Sequence, residues 1–292
     1  MKGSRLIVFQ ILLVCLLVLS VGSAHALHEG KAHDTLILAV HPYLTPSEIV
    51  ERFSPLAGIL SHETGIDIEV SVSTDYQSHL DRVGRGEVAL AYMGPAAYVK
   101  LVDIYGPRPL LGVLEVKGKT GFQGVIITSE AAGVKSLLDL KGKRFAFGDP
   151  ESTMSHLVPR AMMLKSGITE DKLVGFEHLS NHDNVALSVL TGNFDAGAVK
   201  EEVFRKYEPQ GLVEVVRTPV ISEHLIVANP AMDNELVGKL REVLLRLDST
   251  PDGAEAIRKI KKSATGFKQV QDKNYDSLRG ILTTLRKAGV ME

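Results

Sequence analysis

Two hydroxyl side chains stand at a point in the sequence where an oxyanion can bind. Ser152 and Thr153 follow a strand-like run at residues 144–148 and a turn at Asp149-Pro150, and they open a predicted helix over residues 152–164. The first turn of a helix has unpaired backbone N–H groups and the positive end of the helix dipole, so it attracts anions. Ligands of open α/β sheets also bind beyond the carboxyl ends of strands. The segment therefore predicts an anion site, although a simple N-cap role for Ser152 fits the local pattern equally well.

Two further segments are expected at the same edge of the sheet. His182 stands between a predicted strand at 173–179 and a predicted helix at 183–190, where its imidazole can offer a hydrogen bond or a positive charge. The run from Gly192 to Glu201 ends a strand of small residues in charged ones. A lone histidine at a helix start is more often a capping or surface residue, and that alternative stays open.

Strands and helices alternate along the chain from residue 35 onward. The first helix begins at Thr45-Pro46-Ser47-Glu48, which combines an N-cap, a proline at the first helical position and a capping box. Strand patterns lie at 35–40, 66–72, 88–92, 110–116, 124–128, 144–148, 173–179, 196–199, 212–216 and 224–228, and the chain after residue 234 is nearly all helical. This alternation predicts an α/β fold in which mostly parallel sheets are covered by helices on both faces.

The Gly/Lys-rich run at residues 117–121 marks a crossing between two lobes. We expect the first lobe to comprise residues 27–118 and 219–292, and the second lobe to comprise residues 119–218. The C-terminal helices then return to complete the first lobe.

Residues 1–26 have the pattern of a secretory signal peptide. Lys2 and Arg5 precede an apolar run at 6–21, and small residues at 23–26 offer a cleavage site near Ala26. Cys15 lies inside this segment without the small residue before it that a lipoprotein signal needs. We therefore expect a protein exported to the periplasm, with an uncleaved membrane anchor as the alternative.

The composition of the mature chain excludes several classes of protein. Removing Lys2 and Arg5 with the signal takes the formal net charge of the 292-residue chain from −2 to −4, which argues against nucleic acid as a partner. The remaining 266 residues contain no cysteine, so disulfides and thiol chemistry are excluded.

Several short runs of the mature chain occur in a characteristic order. They are Ala91-Tyr-Met-Gly-Pro-Ala-Ala-Tyr98, Asp139-Leu-Lys-Gly-Lys143, Phe147-Gly-Asp-Pro-Glu-Ser-Thr153, Pro159, His182 and Gly192-Asn-Phe-Asp-Ala-Gly-Ala-Val199. Together they resemble the phosphate-, phosphite- and phosphonate-binding proteins of bacterial ABC importers, from about residue 36 to about residue 247. The resemblance implies a two-lobed type II periplasmic-binding-protein fold that closes over a small oxyanion in the interlobe cleft. It also implies a non-catalytic monomer without cofactor that delivers its ligand to an ABC permease in the inner membrane.

The resemblance also implies a set of ligand-binding residues. They are the hydroxyl cluster Ser152, Thr153 and Ser155, then His182, then Tyr43 after the first strand, then Tyr92 or Tyr98 on the other lobe, and Glu201 as a partner for a ligand amine. Met154 departs from the family pattern, which has a small or hydroxyl residue there. Because these donors are neutral hydroxyls and amides with one titratable histidine, no arginine or lysine is required.

Three other readings remain. A hydrolase could use Ser152 or Ser155 with His182 and Asp195, but the chain has no G-x-S-x-G motif. His28, His33 and His41 could bind zinc, but their spacing is not that of a closed site, so we expect no metal. The same fold could instead bind a sulfonate or another small anion, or serve a membrane sensor.

Overall fold

The computed structural model describes residues 35–291, and its strands form two large sheets and one short ribbon. The predicted signal peptide and His28 and His33 lie outside the described residues. The strands are β1 (Leu36–Val40), β2 (Ile68–Val72), β3 (Leu90–Met93), β4 (Leu110–Val116), β5 (Gly121–Phe122), β6 (Gly124–Ser129), β7 (Arg144–Phe147), β8 (Gly175–His178), β9 (Ala196–Lys200), β10 (Leu212–Arg217), β11 (Ile221–Ser222), β12 (Leu225–Ala228) and β13 (Ala264–Lys268).

Helices pack around these sheets. They are α1 (Pro46–Thr64), α2 (Tyr76–Gly84), α3 (Pro95–Tyr105), α4 (Val158–Lys165), α5 (His182–Leu190), α6 (Glu201–Tyr207), α7 (Asn234–Leu245), α8 (Pro251–Ile260) and α9 (Asp276–Lys287). Within residues 35–291, none of them is both long enough and apolar enough to cross a bilayer. Helix α1 starts as the sequence predicts, with the Glu48 carboxylate accepting from the backbone N–H of Thr45 at 3.3 Å, and it ends at Gly65 in the left-handed conformation.

Both sheets are mixed, which corrects the expectation of mostly parallel sheets. The first has the order β13-β4-β12-β3-β1-β2 and the second β10-β6-β9-β7-β8. Among the described strands, only the pairs β1·β2, β1·β3, β7·β8 and β7·β9 are parallel. Strands β6 and β12, which follow the two crossings between the sheets, are antiparallel to both of their neighbours, and β13 is antiparallel to β4.

Alternating strand residues bury apolar side chains on both faces of each sheet. In β1, Leu38 and Val40 belong to one apolar cluster and Ala39 to another. In β6, Val125 and Ile127 likewise belong to a different cluster from Ile126. Since successive strand residues point to opposite faces, each sheet is covered by helices or loops on both sides. The predicted α/β architecture is therefore confirmed.

The chain crosses between the sheets at two neighbouring points. Strand β5 pairs with β11 as an antiparallel ribbon. The hydroxyl of Thr218 accepts a hydrogen bond from the backbone N–H of Gly124 at 2.8 Å, and its carbonyl accepts one from the side chain of Gln123 at 2.6 Å. The two crossing segments thus support each other.

The structure differs from the sequence prediction at two elements. Residues 264–268 lie in the stretch after residue 234 that was expected to be nearly all helical, but they form β13, an edge strand antiparallel to β4. Their run Ala-Thr-Gly-Phe-Lys is poor in strand-forming residues, and the pairing with β4 supplies what the local pattern lacks. The predicted helix at 152–164 begins instead as a π-helical turn, Thr153–Leu157, before α4.

Candidate functional site

Several polar and aromatic side chains of the two sheets lie close together where the sheets meet. We name this region the interlobe junction. It is bounded by His41, Tyr92 and His224 on the first sheet and by His182 and Lys200 on the second. The ring of His41 is 5.6 Å from that of His224, and the ring of Phe122 lies 5.8 Å from that of His224. The ammonium of Lys200 lies 5.9 Å from the Phe122 ring, which links the second sheet to this group.

The loop after β7 brings Thr153 against the first sheet. Thr153 is nearly buried, and its Oγ1 accepts a hydrogen bond of 3.2 Å from the backbone N–H of Ala96, in the first turn of α3. Because Oγ1 acts there as an acceptor, the hydroxyl keeps its own hydrogen to donate. Ser152 serves as the cap of the π-helical turn, with its Oγ accepting from the backbone N–H of Ser155 at 3.2 Å.

Ser155 lies in the interior, which revises its expected role. Its side chain is fully buried, and its hydroxyl donates to the carbonyl of Ala198 at 2.5 Å. Its only hydroxyl hydrogen is therefore used to fasten the π-helical turn to β9. A Cβ on Gly148 would lie 2.3 Å from this hydroxyl oxygen, so the loop needs glycine there for close approach.

The side chain of Met154, the departure from the family pattern, is fully buried near the crossing segments. Its sulfur accepts from the Thr218 hydroxyl at 3.4 Å, and a Cβ at Gly124 would lie 3.2 Å from its Cβ. The thioether thus packs between the crossings and the apolar cluster of the first sheet.

His182 is a neutral hydrogen-bond donor. Its Nδ1 accepts from the backbone N–H of Lys200 at 3.1 Å, so the ring hydrogen resides on Nε2. Burial, with a further effect from the charges of Lys200 and His224, holds the pKa of His182 well below its usual range. The expectation of a positive charge on this ring is therefore set aside, and Asn181 rather than His182 caps α5.

Of the predicted tyrosines, Tyr43 and Tyr92 lie at the junction and Tyr98 does not. Tyr92 is buried and stacks on His41 and His224, at 5.7 and 5.4 Å between ring centroids. Tyr43 lies 5.0 Å from His41, and burial raises its pKa to about 12, so both phenols keep their hydrogen. Tyr98 is buried elsewhere and donates its hydroxyl to Asp272 at 2.7 Å.

Glu201 does not contribute its carboxylate to the junction. It forms an ion pair with Arg217 at 2.6 Å and a longer one with Arg205 at 3.7 Å. The preceding residue, Lys200, faces the junction instead. The view that the site requires no lysine or arginine therefore overlooked a cation one residue away from a predicted ligand.

The sequence interpretation also missed a buried polar network on the first sheet. Glu223 is buried and accepts from Nδ1 of His224 at 2.6 Å, and it pairs with Lys261 at 3.3 Å. Burial alone would raise the pKa of Glu223, but His224, Lys261 and Lys200 together hold it well below its usual range. Burial lowers the pKa of His224, which stays a neutral donor to this carboxylate.

His41 could have been found from its place directly after the first predicted strand. It is buried, and its Nδ1 lies 3.2 Å from the carbonyl of Tyr92, to which it donates. Burial lowers its pKa well below the usual range, so it too is neutral. In the part of the chain that the structure describes, no group of three or more His, Cys, Asp or Glu residues is placed to hold a metal ion.

Polar contacts from the first sheet to the second close the junction on two sides. Lys100 of α3 pairs with Glu151 of the loop after β7 at 2.5 Å, and Lys261 pairs with Glu202 of α6 at 3.1 Å. Two open grooves of about 550 and 540 Å³ lie elsewhere, along β8 and α5, and no predicted site residue lines either of them.

Two mixed sheets joined by paired crossings, with polar side chains gathered where they meet, define a type II periplasmic binding protein. Solved structures share this fold. PhnD1 from Prochlorococcus marinus, in complex with methylphosphonate, superposes with a TM-score of 0.75 at 19% identity over 88% of this chain and 99% of that one. A binding-protein component of an ABC phosphonate transporter from Pseudomonas aeruginosa gives 0.73 at 19% identity, covering 86% of this chain and 87% of that one.

The family follows from sequence comparison. The model of the family described as "ABC transporter, phosphonate, periplasmic substrate-binding protein" matches residues 38–275, and the chain belongs to that family. A curated relative, the phosphate-import protein PhnD of Mycolicibacterium smegmatis, is 26% identical over 273 residues, which cover 85% of each chain.

Proposed function

We propose that this protein captures a small phosphorus oxyanion at the interlobe junction and hands it to an ABC permease without catalysing a reaction. The relatives point to this ligand class: one is named for phosphate import, and another is solved with methylphosphonate. The ligand is a phosphate, phosphite or phosphonate, which has three or four oxygens that accept hydrogen bonds.

The observation that carries the proposal is the convergence of donors from both sheets. Thr153 has a hydroxyl hydrogen to donate, and His182 has one on Nε2. Lys200 adds an ammonium group on the same side. An oxyanion without bulk water needs several donors at once, and charge-assisted hydrogen bonds are about twice as strong as neutral ones. Ser152, Tyr43 and Tyr92 complete the proposed shell, whereas Ser155 and Glu201 support it from behind.

The division into lobes gives the proposal its mechanism. We assign residues 27–118 and 219–292 to one lobe and residues 119–218 to the other, with the segments at β5 and β11 as the hinge. Thr153 then approaches Ala96 only when the lobes close, so closure completes the shell around the ligand.

We also propose that the protein acts in the periplasm and that it is a monomer. Residues 1–26 direct export and are removed near Ala26. Mass spectrometry of the N-terminus of the secreted protein tests the cleavage, and light scattering of the purified protein tests the monomer.

A thermal-shift panel on residues 27–292 tests the ligand class. The panel contains phosphate, phosphite, methylphosphonate and 2-aminoethylphosphonate, with sulfate and taurine as the matched sulfur anions. A ligand at about a hundred times its dissociation constant adds about 2.7 kcal/mol to the free energy of unfolding, which raises the melting temperature by a few degrees. We expect a shift with at least one phosphorus anion and none with taurine. A shift with sulfur anions alone would contradict the proposal.

A further inference from the structure

The ammonium of Lys200 is a cation without a counter-ion contact at the interlobe junction. Among residues 35–291, its Nζ forms no hydrogen bond or ion pair, and its nearest aromatic contact is the Phe122 ring at 5.9 Å. Its charge acts on His41, His182 and His224, so the ammonium lies among the junction residues that the proposed ligand would contact.

Every carboxylate near Lys200 is already paired with another cation. Glu223 contacts His224 and Lys261, and Glu202 contacts the same Lys261 at 3.1 Å. Glu201 contacts Arg217 and Arg205. None of these groups is available to a cationic part of a ligand unless an existing ion pair breaks.

Asp149, in the loop after β7, is a further acidic group in the described part of the chain, and its surroundings differ. Its Oδ1 accepts from the backbone N–H of Glu151 at 2.7 Å. The charged side chains that act on it are Glu151, His178 and Lys100, and Lys200 is not among them. A ligand amine beside Lys200 would therefore meet a like charge, and the carboxylates that act on Lys200 are already paired with other groups.

We propose that Lys200 makes this site selective for phosphorus oxyanions that carry no positive charge, so that aminoalkylphosphonates are rejected. The inference rests on the proposed function, since it concerns the substituent of the same bound oxyanion. Phosphate, phosphite and alkylphosphonates bind more tightly because the Lys200 ammonium attracts their oxyanion. They carry no positive group that this ammonium would repel.

A pair of ligands of equal size tests this selectivity. n-Propylphosphonate and 2-aminoethylphosphonate have the same number of non-hydrogen atoms and differ in a terminal methyl or ammonium group. Isothermal titration of residues 27–292 is expected to give a dissociation constant lower by about tenfold or more for n-propylphosphonate. In Lys200→Met we expect the ratio to fall to within about threefold, even though both ligands bind more weakly.

Two controls make the outcomes decisive. Lys206→Met removes an exposed lysine of α6 that pairs with Asp183 of α5, and it should leave the ratio unchanged. Lys200→Gln replaces Lys200→Met if the latter does not melt cooperatively.

Equal affinities of the wild type for the two ligands, or an unchanged ratio in both Lys200 variants, would overturn the inference and leave the proposed function intact. Tight binding of 2-aminoethylphosphonate that Asp149→Asn abolishes would also overturn it. Failure of every phosphorus ligand to bind the wild type would overturn the proposed function itself.

Discussion

At the residue scale, the direction of each hydrogen bond decides what a side chain can still do. Ser155 and Thr153 are two positions apart in one turn, yet Ser155 gives its hydrogen to Ala198 while Thr153 receives one from Ala96. The sequence places both hydroxyls at the same helix start and cannot separate them. Only the positions of their partners, 43 and 57 residues away in the chain, show that Thr153 retains a donor.

Replacing Thr153 tests its retained donor. Thr153→Val keeps the shape but removes the hydroxyl hydrogen that we assign to the ligand, and it also leaves the Ala96 N–H without its acceptor, so we expect oxyanion binding to weaken by about 1–3 kcal/mol. Thr153→Ser keeps the hydroxyl and should stay close to the wild type. Isothermal titration with the phosphorus anion that gives the largest thermal shift measures both, and equal affinities in wild type and Thr153→Val would remove Thr153 from the shell.

A buried histidine at the first sheet makes stability depend on pH. His79 is buried between Ser73 and Met93, and burial lowers its pKa to about 4. Since the unfolded chain binds the proton near pH 6.5, this contribution to stability is complete above pH 6.5 and is lost as the pH falls toward 4. The loss is on the order of 3 kcal/mol.

Urea unfolding at pH 7.5 and pH 4.5 measures this effect. In His79→Gln the decrease in the free energy of unfolding between the two pH values should be smaller than in wild type by about 2–3 kcal/mol. His62→Gln, which removes an exposed histidine at the end of α1, should behave as wild type. If the free energy of unfolding of His79→Gln falls between the two pH values by as much as that of the wild type, other groups cause the acid sensitivity.

At the element scale, α3 and the loop after β7 are joined by the ion pair between Lys100 and Glu151. The pair is partly buried and connects the two lobes we propose, so it favours the closed arrangement. Lys100→Met and Glu151→Gln should each weaken ligand binding by about two- to fivefold, which corresponds to about 0.5–1 kcal/mol.

A double-mutant cycle separates this pair from other effects. The double variant should lose no more affinity than either single variant, because the interaction is already absent. Arg85→Met, which breaks an exposed pair with Glu87 away from the junction, serves as the control. Additive losses in the cycle would show that the two side chains act independently.

The order of elements was predictable from the sequence, whereas the way in which they pair was not. Cap signals such as Thr45-Pro46 and the capping box with Glu48 are local, so the start of α1 was predicted correctly. The direction of β12 and the existence of β13 depend on partners more than a hundred residues earlier in the chain, β3 and β4. Local patterns contain no information about such partners.

The same distinction holds for the candidate site. His182 and Thr153 stand at helix starts, where local rules point to ligands, and both lie at the junction. Lys200 and Glu201 are neighbours in the sequence, and only the position of Arg217 shows which of them turns away. No local sequence pattern marks Glu223 as a site residue, because its role depends on its contacts with Lys261 and His224 in the folded chain.

At the scale of the whole molecule, the C-terminal helix α9 packs against helix α4, which belongs to the other of the two proposed lobes. Leu278, Leu282 and Leu285 are fully buried in a cluster that also contains Val158 and Ala161 of α4. Because α4 follows β7 of the second sheet, α9 couples the stability of the two proposed lobes.

Leu282→Ala measures this coupling. Removing a fully buried leucine should lower the free energy of unfolding by about 2–5 kcal/mol, in a single cooperative transition followed by urea titration. Leu138→Ala, at a leucine that is 59% exposed, should change it by less than about 0.5 kcal/mol. Two separate transitions in the wild type would contradict the coupling.

The strand order of the first sheet also sets the order in which the protein can be completed as it is made. Strand β12 lies between β3 and β4, so the four strands synthesised first cannot form their final sheet until residues 225–228 arrive. The second sheet is built from one continuous stretch, β6 to β10, and can close earlier. During synthesis from the N-terminus, the second sheet can therefore form before the first. Until β12 is made, β3 and β4 of the first sheet have unpaired edges.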